Sequence, residues 1–230
     1  MSGTSTRAWI VAACLLIFGV LSPLPSEAES SEETRSAAHR PVLLIHGLKD
    51  TARKMEKMAR YLRAQGRDAH TLSLSPSWGQ VGLEELAQQL AAYVDRTFGP
   101  EQPFDLIGFS MGGIVSRYYV QRLGGKERVR NLVTISSPHR GTLFAYLVPN
   151  AGCRQMRPHS AFLRDLDSDA EEVFQKVRFT SFWTPLDLII LPAASSIVPN
   201  ATCHRIWCAA HPLMVWEPRC LRAVAQALEG

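Results

Sequence analysis

The chain alternates between two hydrophobic rhythms, and that alternation restricts its fold more than any other feature. Val42–Ile45 is a short, unbroken apolar run of the kind that marks a strand buried on both faces. Asp68–Leu74, Phe104–Phe109, Val129–Ile135, Val177–Trp183 and His204–Trp207 read as five further strands. Between them lie stretches with helical spacing. Thr51–Gln65 carries Met55, Met58 and Leu62 on one face and stops at Gly66. Leu83–Phe98 is closed by Gly99-Pro100, and Ile114–Leu123 by Gly124-Gly125. A helix is expected from Ser160 onward within the irregular section 141–172. Pro212–Leu228 is expected to close the chain as a helix, with proline near its first turn. Strands alternating with helices imply βαβ units, hence an α/β fold with a mostly parallel sheet flanked by helices on both faces.

Composition fits one globular domain: 230 residues, 46% hydrophobic and 20% charged. The formal charge of +4 is dispersed, with neither a lysine–arginine stripe nor a cysteine–histidine finger. Nucleic-acid binding is therefore excluded. At the N-terminus Arg7 precedes the uncharged apolar run Ala8–Leu21, and Ser26-Glu27-Ala28 follows with small residues where a signal peptidase needs them. Residues 1–28 are read as a cleaved signal peptide, 29–40 as a polar leader and 41–230 as the folded domain, exported to the periplasm or beyond. The apolar run is shorter than the ~20 residues of a spanning helix. It also continues past Cys14, which disfavours lipoprotein processing there. Export makes one or two disulfides expected among Cys153, Cys203, Cys208 and Cys220. Cys203, His204, Cys208 and His211 fit no common zinc spacing, so no metal is expected.

Gly108-Phe109-Ser110-Met111-Gly112 places a serine between a buried strand and a helix. The pattern G-x-S-x-G is weak alone, but this setting is what a nucleophile elbow requires. The turn strains the serine backbone and crowds the positions two before and two after, where Gly108 and Gly112 stand. A serine attacking a carbonyl creates an oxyanion that needs fixed donors. The backbone N–H of Met111, at the helix N-terminus, is one candidate. The N–H of Leu48, in His46-Gly47-Leu48 directly after the first strand, is the other. His46 comes too early to be the base and reads as a residue shaping this loop and the pocket.

For a nucleophile on such an elbow, the acid and then the histidine follow in chain order. His211 stands after the last strand and before a helix, at the carboxyl edge of the sheet. It is preferred to His204, which lies inside that strand. Asp187 follows the fifth strand and is flanked by apolar residues. Asp165, Asp167, Asp169, Glu171 and Glu172 fall in a charged helical region that a solvated face explains. The expected triad is Ser110, Asp187 and His211.

Taken together, Ile45-His46-Gly47-Leu48, Gly108-Phe109-Ser110-Met111-Gly112-Gly113, Ser137-Pro138-His139-Arg140-Gly141-Thr142, Asp187 and His211 resemble the small bacterial triacylglycerol lipases and related esterases of the α/β-hydrolase fold. The resemblance runs from about Pro41 to the C-terminus. It implies acyl-ester hydrolysis without a cofactor, on a small-molecule ester or lipid, with transient contact at a lipid surface. The family's elbow often has histidine before the serine; Phe109 stands there and implies a greasier pocket. The Pro-His-x-Gly segment of such enzymes lies beside the nucleophile, which makes His139 a pocket candidate. A single glycine before the oxyanion-hole residue implies medium or long acyl chains. The chain is short for the calcium site and long lid of larger lipases, although 143–172 has room for a small cap. Two alternatives stay open: another acyl transfer on the same residues (thioesterase, acyltransferase or phospholipase), and an inactive exported binding protein.

Overall fold

A computed structural model describes residues 40–229; the signal-peptide reading and Cys14 fall outside the described residues. Six strands form one sheet: β1 (Val42–Ile45), β2 (Ala69–Leu72), β3 (Phe104–Phe109), β4 (Val129–Ile135), β5 (Arg178–Trp183) and β6 (Thr202–Arg205). Their order across the sheet is β2-β1-β3-β4-β5-β6, and every adjacent pair is parallel. All six carboxyl ends therefore emerge along one edge. Among the described residues seven α-helices accompany them: α1 (Glu56–Arg63), α2 (Leu83–Phe98), α3 (Met111–Arg122), α4 (Ala151–Gln155), α5 (Ala161–Ser168), α6 (Ala170–Val173) and α7 (Pro218–Ala227).

The pleat sorts the strand residues into two cores. Leu43, Ile45, Phe104 and Leu106 face α2 and α3, packing on Leu86, Leu90, Ile114 and Val115. Val42, Leu44, Ile107 and Phe109 point the opposite way, onto Met58 and Leu62 of α1 and Leu221 and Val224 of α7. Alternate residues of one strand thus feed opposite layers, because successive side chains leave opposite faces. The α/β-hydrolase architecture expected from the sequence is the one observed.

Three local expectations need correction. Thr51–Gln65 is not one helix: a 3-10 turn, Ala52–Lys54, precedes α1. The closing helix is also divided. His211–Trp216 forms a 3-10 segment and α7 begins at Pro218. Proline has no N–H to donate and holds its predecessor extended; Glu217 has φ −66° and ψ 122°. Finally, the four described cysteines are unpaired. Cys153 belongs to one core and Cys208 and Cys220 to the other, so the sheet stands between them. Cys203 lies on the edge strand β6.

Candidate active site

The strand-to-helix turn after β3 is as tight as its sequence demands. Ser110 sits at φ 54°, ψ −124°, a strained backbone for a residue with a side chain. Its N–H donates to the Ile135 carbonyl at 2.8 Å, tying the turn to the end of β4. The surrounding glycines are obligatory. A Cβ on Gly108 would lie 2.4 Å from Gly113 Cα, and one on Gly112 would lie 2.4 Å from the His46 carbonyl oxygen. Ser110 is 7% exposed, buried but reachable.

The loop after β1 runs past this serine: a Cβ on Gly47 would meet Ser110 Cβ at 3.0 Å. Among the described residues, neither the Leu48 N–H nor the Met111 N–H donates to another protein group. Leu48, Met111 and Ser110 border the same slender cavity. Its other walls are apolar apart from Thr142, with Phe144, Ala145, Val148, Cys153 and Met156 from the segment after β4, and Ile189 and Ile190 from the segment after β5. Larger hollows lie elsewhere. One, at the amino ends of the strands, is bordered by Arg40, Arg130, Lys176 and Arg178 and touches none of these residues.

Asp187 and His211 come together across 24 residues of chain. His211 Nδ1 and Asp187 Oδ2 are 2.8 Å apart. Asp187 Oδ1 accepts the backbone N–H groups of Ile189 and Ile190 at 2.9 and 2.8 Å. An acceptor-only carboxylate fixes the proton on His211 Nδ1 and leaves Nε2 as the basic nitrogen. The Thr184 hydroxyl donates to the Cys208 carbonyl at 2.7 Å, binding the acid's loop to the base's loop. On its far side the imidazole lies against the Phe109 ring, with centroids 4.9 Å apart, which brings it next to the elbow. His204, by contrast, is exposed on β6 and stacks on Phe182.

Three residues expected in the pocket are placed elsewhere. His46 is wholly buried: its Nε2 accepts the Leu74 N–H at 2.9 Å and its Nδ1 donates to the Gly47 carbonyl at 2.8 Å. Burial lowers its pKa, so the neutral ring these bonds require is the favoured one. It braces the Gly47–Leu48 loop and touches no cavity beside Ser110. Phe109 is 1% exposed and backs the His211 ring within the core rather than lining the cavity. His139 is also fully buried, its Nε2 2.9 Å from the Thr134 hydroxyl and its ring in a T-shaped contact with Phe179. Burial, and then the nearby Arg117, push its pKa well below the ordinary histidine value. Its neighbour Pro138 takes the cavity-lining place instead.

Sequence reasoning missed Thr142 and Thr184. Thr142 borders the cavity, and its hydroxyl donates to the Ile189 carbonyl at 2.6 Å while accepting from Leu191 N–H. Locally each hydroxyl only accepts the N–H two residues on, Phe144 or Leu186; the partners that join separate loops lie 47 and 24 residues away.

Comparison with known proteins gives the chain a family. The family model for palmitoyl protein thioesterase matches residues 41–188. A triacylglycerol lipase of Burkholderia plantarii is 31% identical over 151 residues, covering 61% of this chain and 41% of the lipase. Palmitoyl-protein thioesterase 3 of Dictyostelium discoideum is 29% identical over 114 residues, covering 46% of this chain and 38% of its own. The chain thus spans about two fifths of the length of these curated relatives. The mature lipase BlEst2 of Bacillus licheniformis superposes with a TM-score of 0.67 at 18% identity, covering 84% of this chain and 92% of that one. At that identity the likeness speaks for the fold.

Proposed function

Because this chain belongs to the palmitoyl protein thioesterase family of lipase- and esterase-like hydrolases, we propose that it is a serine hydrolase cleaving acyl esters through an acyl-enzyme on Ser110. The observation that carries this reading is the elbow itself. A strained serine borders an apolar cavity together with two backbone N–H groups that no other described residue engages.

In this mechanism the Ser110 hydroxyl attacks the acyl carbonyl while His211 Nε2 takes its proton. Asp187 holds the ring's tautomer and stabilises the imidazolium that forms. The carbonyl oxygen becomes an oxyanion received by the N–H groups of Leu48 and Met111; losing one such donor typically costs ~10²–10³ in rate. His211 then protonates the departing alkoxide, leaving an acyl-Ser110 ester. Water repeats the sequence in reverse, with His211 as base, and releases the acid. The apolar walls from Leu48 to Ile190 suit the hydrocarbon part of an acyl group, with Ala145, Val148 and Met156 as chain contacts.

A second reading, thioester cleavage, is favoured by the family model and the Dictyostelium relative. It uses the same acyl-enzyme and differs only in the leaving group. A thiolate is the weaker base, with a pKa near ~8.5, and depends less on protonation by His211 than an alkoxide does.

A fluorophosphonate probe tests the nucleophile. Wild type is expected to form an adduct that Ser110→Ala abolishes; an adduct that survives the substitution would remove the proposal. Matching acyl chains presented as p-nitrophenyl esters and as thioesters then separate the two readings. Turnover of both with a preference for longer chains is expected, and turnover of thioesters alone would establish the second. His204→Ala is expected to keep activity that His211→Ala loses.

A further inference from the structure

The large apolar side chains left exposed in this protein are not scattered. Among the described residues they number nine, and all nine lie in segments that leave the carboxyl ends of strands. Trp78 follows β2; Leu143, Tyr146 and Leu147 follow β4; Leu186 and Leu188 flank Asp187 after β5; Trp207, Leu213 and Trp216 follow β6. Because the sheet is wholly parallel, these segments share the edge that carries Ser110. Leu147 and Leu188 are 73% and 77% exposed, values that internal packing does not explain. A concentration of apolar surface on one face marks an interaction site.

The four exposed aromatics carry a second signal. Each has a cation over its ring: Lys49 on Trp78 at 4.5 Å, Lys54 on Trp216 at 4.1 Å, Arg157 on Tyr146 at 4.8 Å and Arg205 on Trp207 at 5.1 Å. In water such exposed pairs add little stability, so folding alone gives no reason for four of them on one edge. Charge is biased the same way. The segments from the strand ends to the following helices, with Arg205, hold five lysines and arginines against three carboxylates. One of those three, Asp187, is buried against His211.

We propose that this edge docks on an anionic phospholipid surface. The leucines enter the acyl boundary, while the tryptophans and Tyr146 lie at headgroup depth. There each ring holds its lysine or arginine beside a lipid phosphate. Aromatic residues favour that depth, and cations near an anionic leaflet add attraction that a neutral leaflet does not. The docking delivers lipid-borne substrate to Ser110 but does not depend on the reaction there.

Catalytically silent Ser110→Ala protein provides the test, with vesicles of ether-linked phosphatidylcholine alone or mixed with about one third phosphatidylglycerol. Cosedimentation and a blue shift of tryptophan emission report binding. The anionic vesicles are expected to bind at least about tenfold more tightly, and high salt is expected to abolish the difference. Arg205→Glu should weaken that binding by about fivefold or more, the effect of one cation near the surface. Trp207→Ala should weaken binding to both vesicle types. Arg130→Glu, an exposed cation at the opposite edge, should leave binding unchanged. In the Ser110 background, Arg205→Glu should keep wild-type turnover of a water-soluble ester. Equal binding to neutral and anionic vesicles, or equal losses from Arg205→Glu and Arg130→Glu, would overturn the proposal. So would binding only to a soluble acylated peptide. Loss of esterase chemistry in wild type would leave these measurements intact, so the two readings fail separately.

Discussion

Asp187 divides its two oxygens between structure and chemistry. Oδ1 takes the N–H groups of Ile189 and Ile190, and Oδ2 faces His211 Nδ1. Asp187→Asn can keep the first task by presenting its amide oxygen to the backbone. Its NH₂ group then faces Nδ1 and favours the imidazole tautomer protonated on Nε2, which is no longer a base toward Ser110. The expected result is a fall in kcat of about 10⁴ with the denaturation midpoint almost unchanged. A fall below tenfold, measured on a soluble ester, would remove Asp187 from the acid's role. The sequence drew attention to Asp187 because apolar neighbours surround it. In the folded chain the carboxylate is 3% exposed while Leu186 and Leu188 turn outward. That inversion is set by the loop and is invisible in local composition. The misplaced pocket residues have the same cause. His46 is claimed by Leu74, 28 residues on, and His139 by the hydroxyl of Thr134 on β4. A histidine next to a glycine looks alike whether a cavity or a distant N–H receives its ring.

Elements were legible where their ends are chemical and obscure where their ends are tertiary. Leu83–Phe98, Phe104–Phe109 and Val129–Ile135 have the bounds expected from their patterns. Gly99 and its successor Pro100 stop the first of these, and a helix that long needs no outside help to declare its period. The segment after β4 is different. It breaks into a 3-10 turn and three short helices; the turn and Ala151–Gln155, which wall the cavity beside Ser110, are too short to show a period, whereas the helix expected from Ser160 is there as Ala161–Ser168. The elbow lies between these cases, since its glycines are legible but the reason for each is not. Gly112 is pressed on the β1 backbone at Ile45 and His46, whereas Gly66 has φ +82° and open space around it. Gly66→Ala should therefore cost only the backbone strain, about 1 kcal/mol. Gly112→Ala must separate helix α3 from β1, and is expected to cost about 3 kcal/mol or more and to abolish activity. Urea midpoints of the two variants test this ranking. Similar midpoints would mean that the elbow yields more easily than its contacts indicate.

For the whole molecule, the parallel sheet puts structure and function at different addresses. Its two faces carry the cores and its carboxyl edge carries the candidate site, and buried polar groups support the loops of that edge from within. Two of them give the fold a dependence on pH. His46 and His139 are both held below the ordinary histidine pKa of 6.5, chiefly by burial. Between that value and their lower folded pKa, the unfolded chain binds protons that the native state refuses. Stability therefore rises with pH across this window and is lost as pH falls below about 6.5. The slope is at most about 1.4 kcal/mol per pH unit for each histidine. Asp105 acts with the opposite sign at more acid pH. Burial raises its pKa against the pull of Arg40, Asn131 and Arg67. The native state thus holds a proton that the unfolded chain has released just above pH 3.8, and the acid limb flattens. The urea midpoint should fall between pH 7 and pH 5, and His139→Gln, which can still reach Thr134, should fall less steeply. A variant with the wild-type slope would require His139 to accept a proton in the native state. Its full burial beside Arg117 opposes that charge.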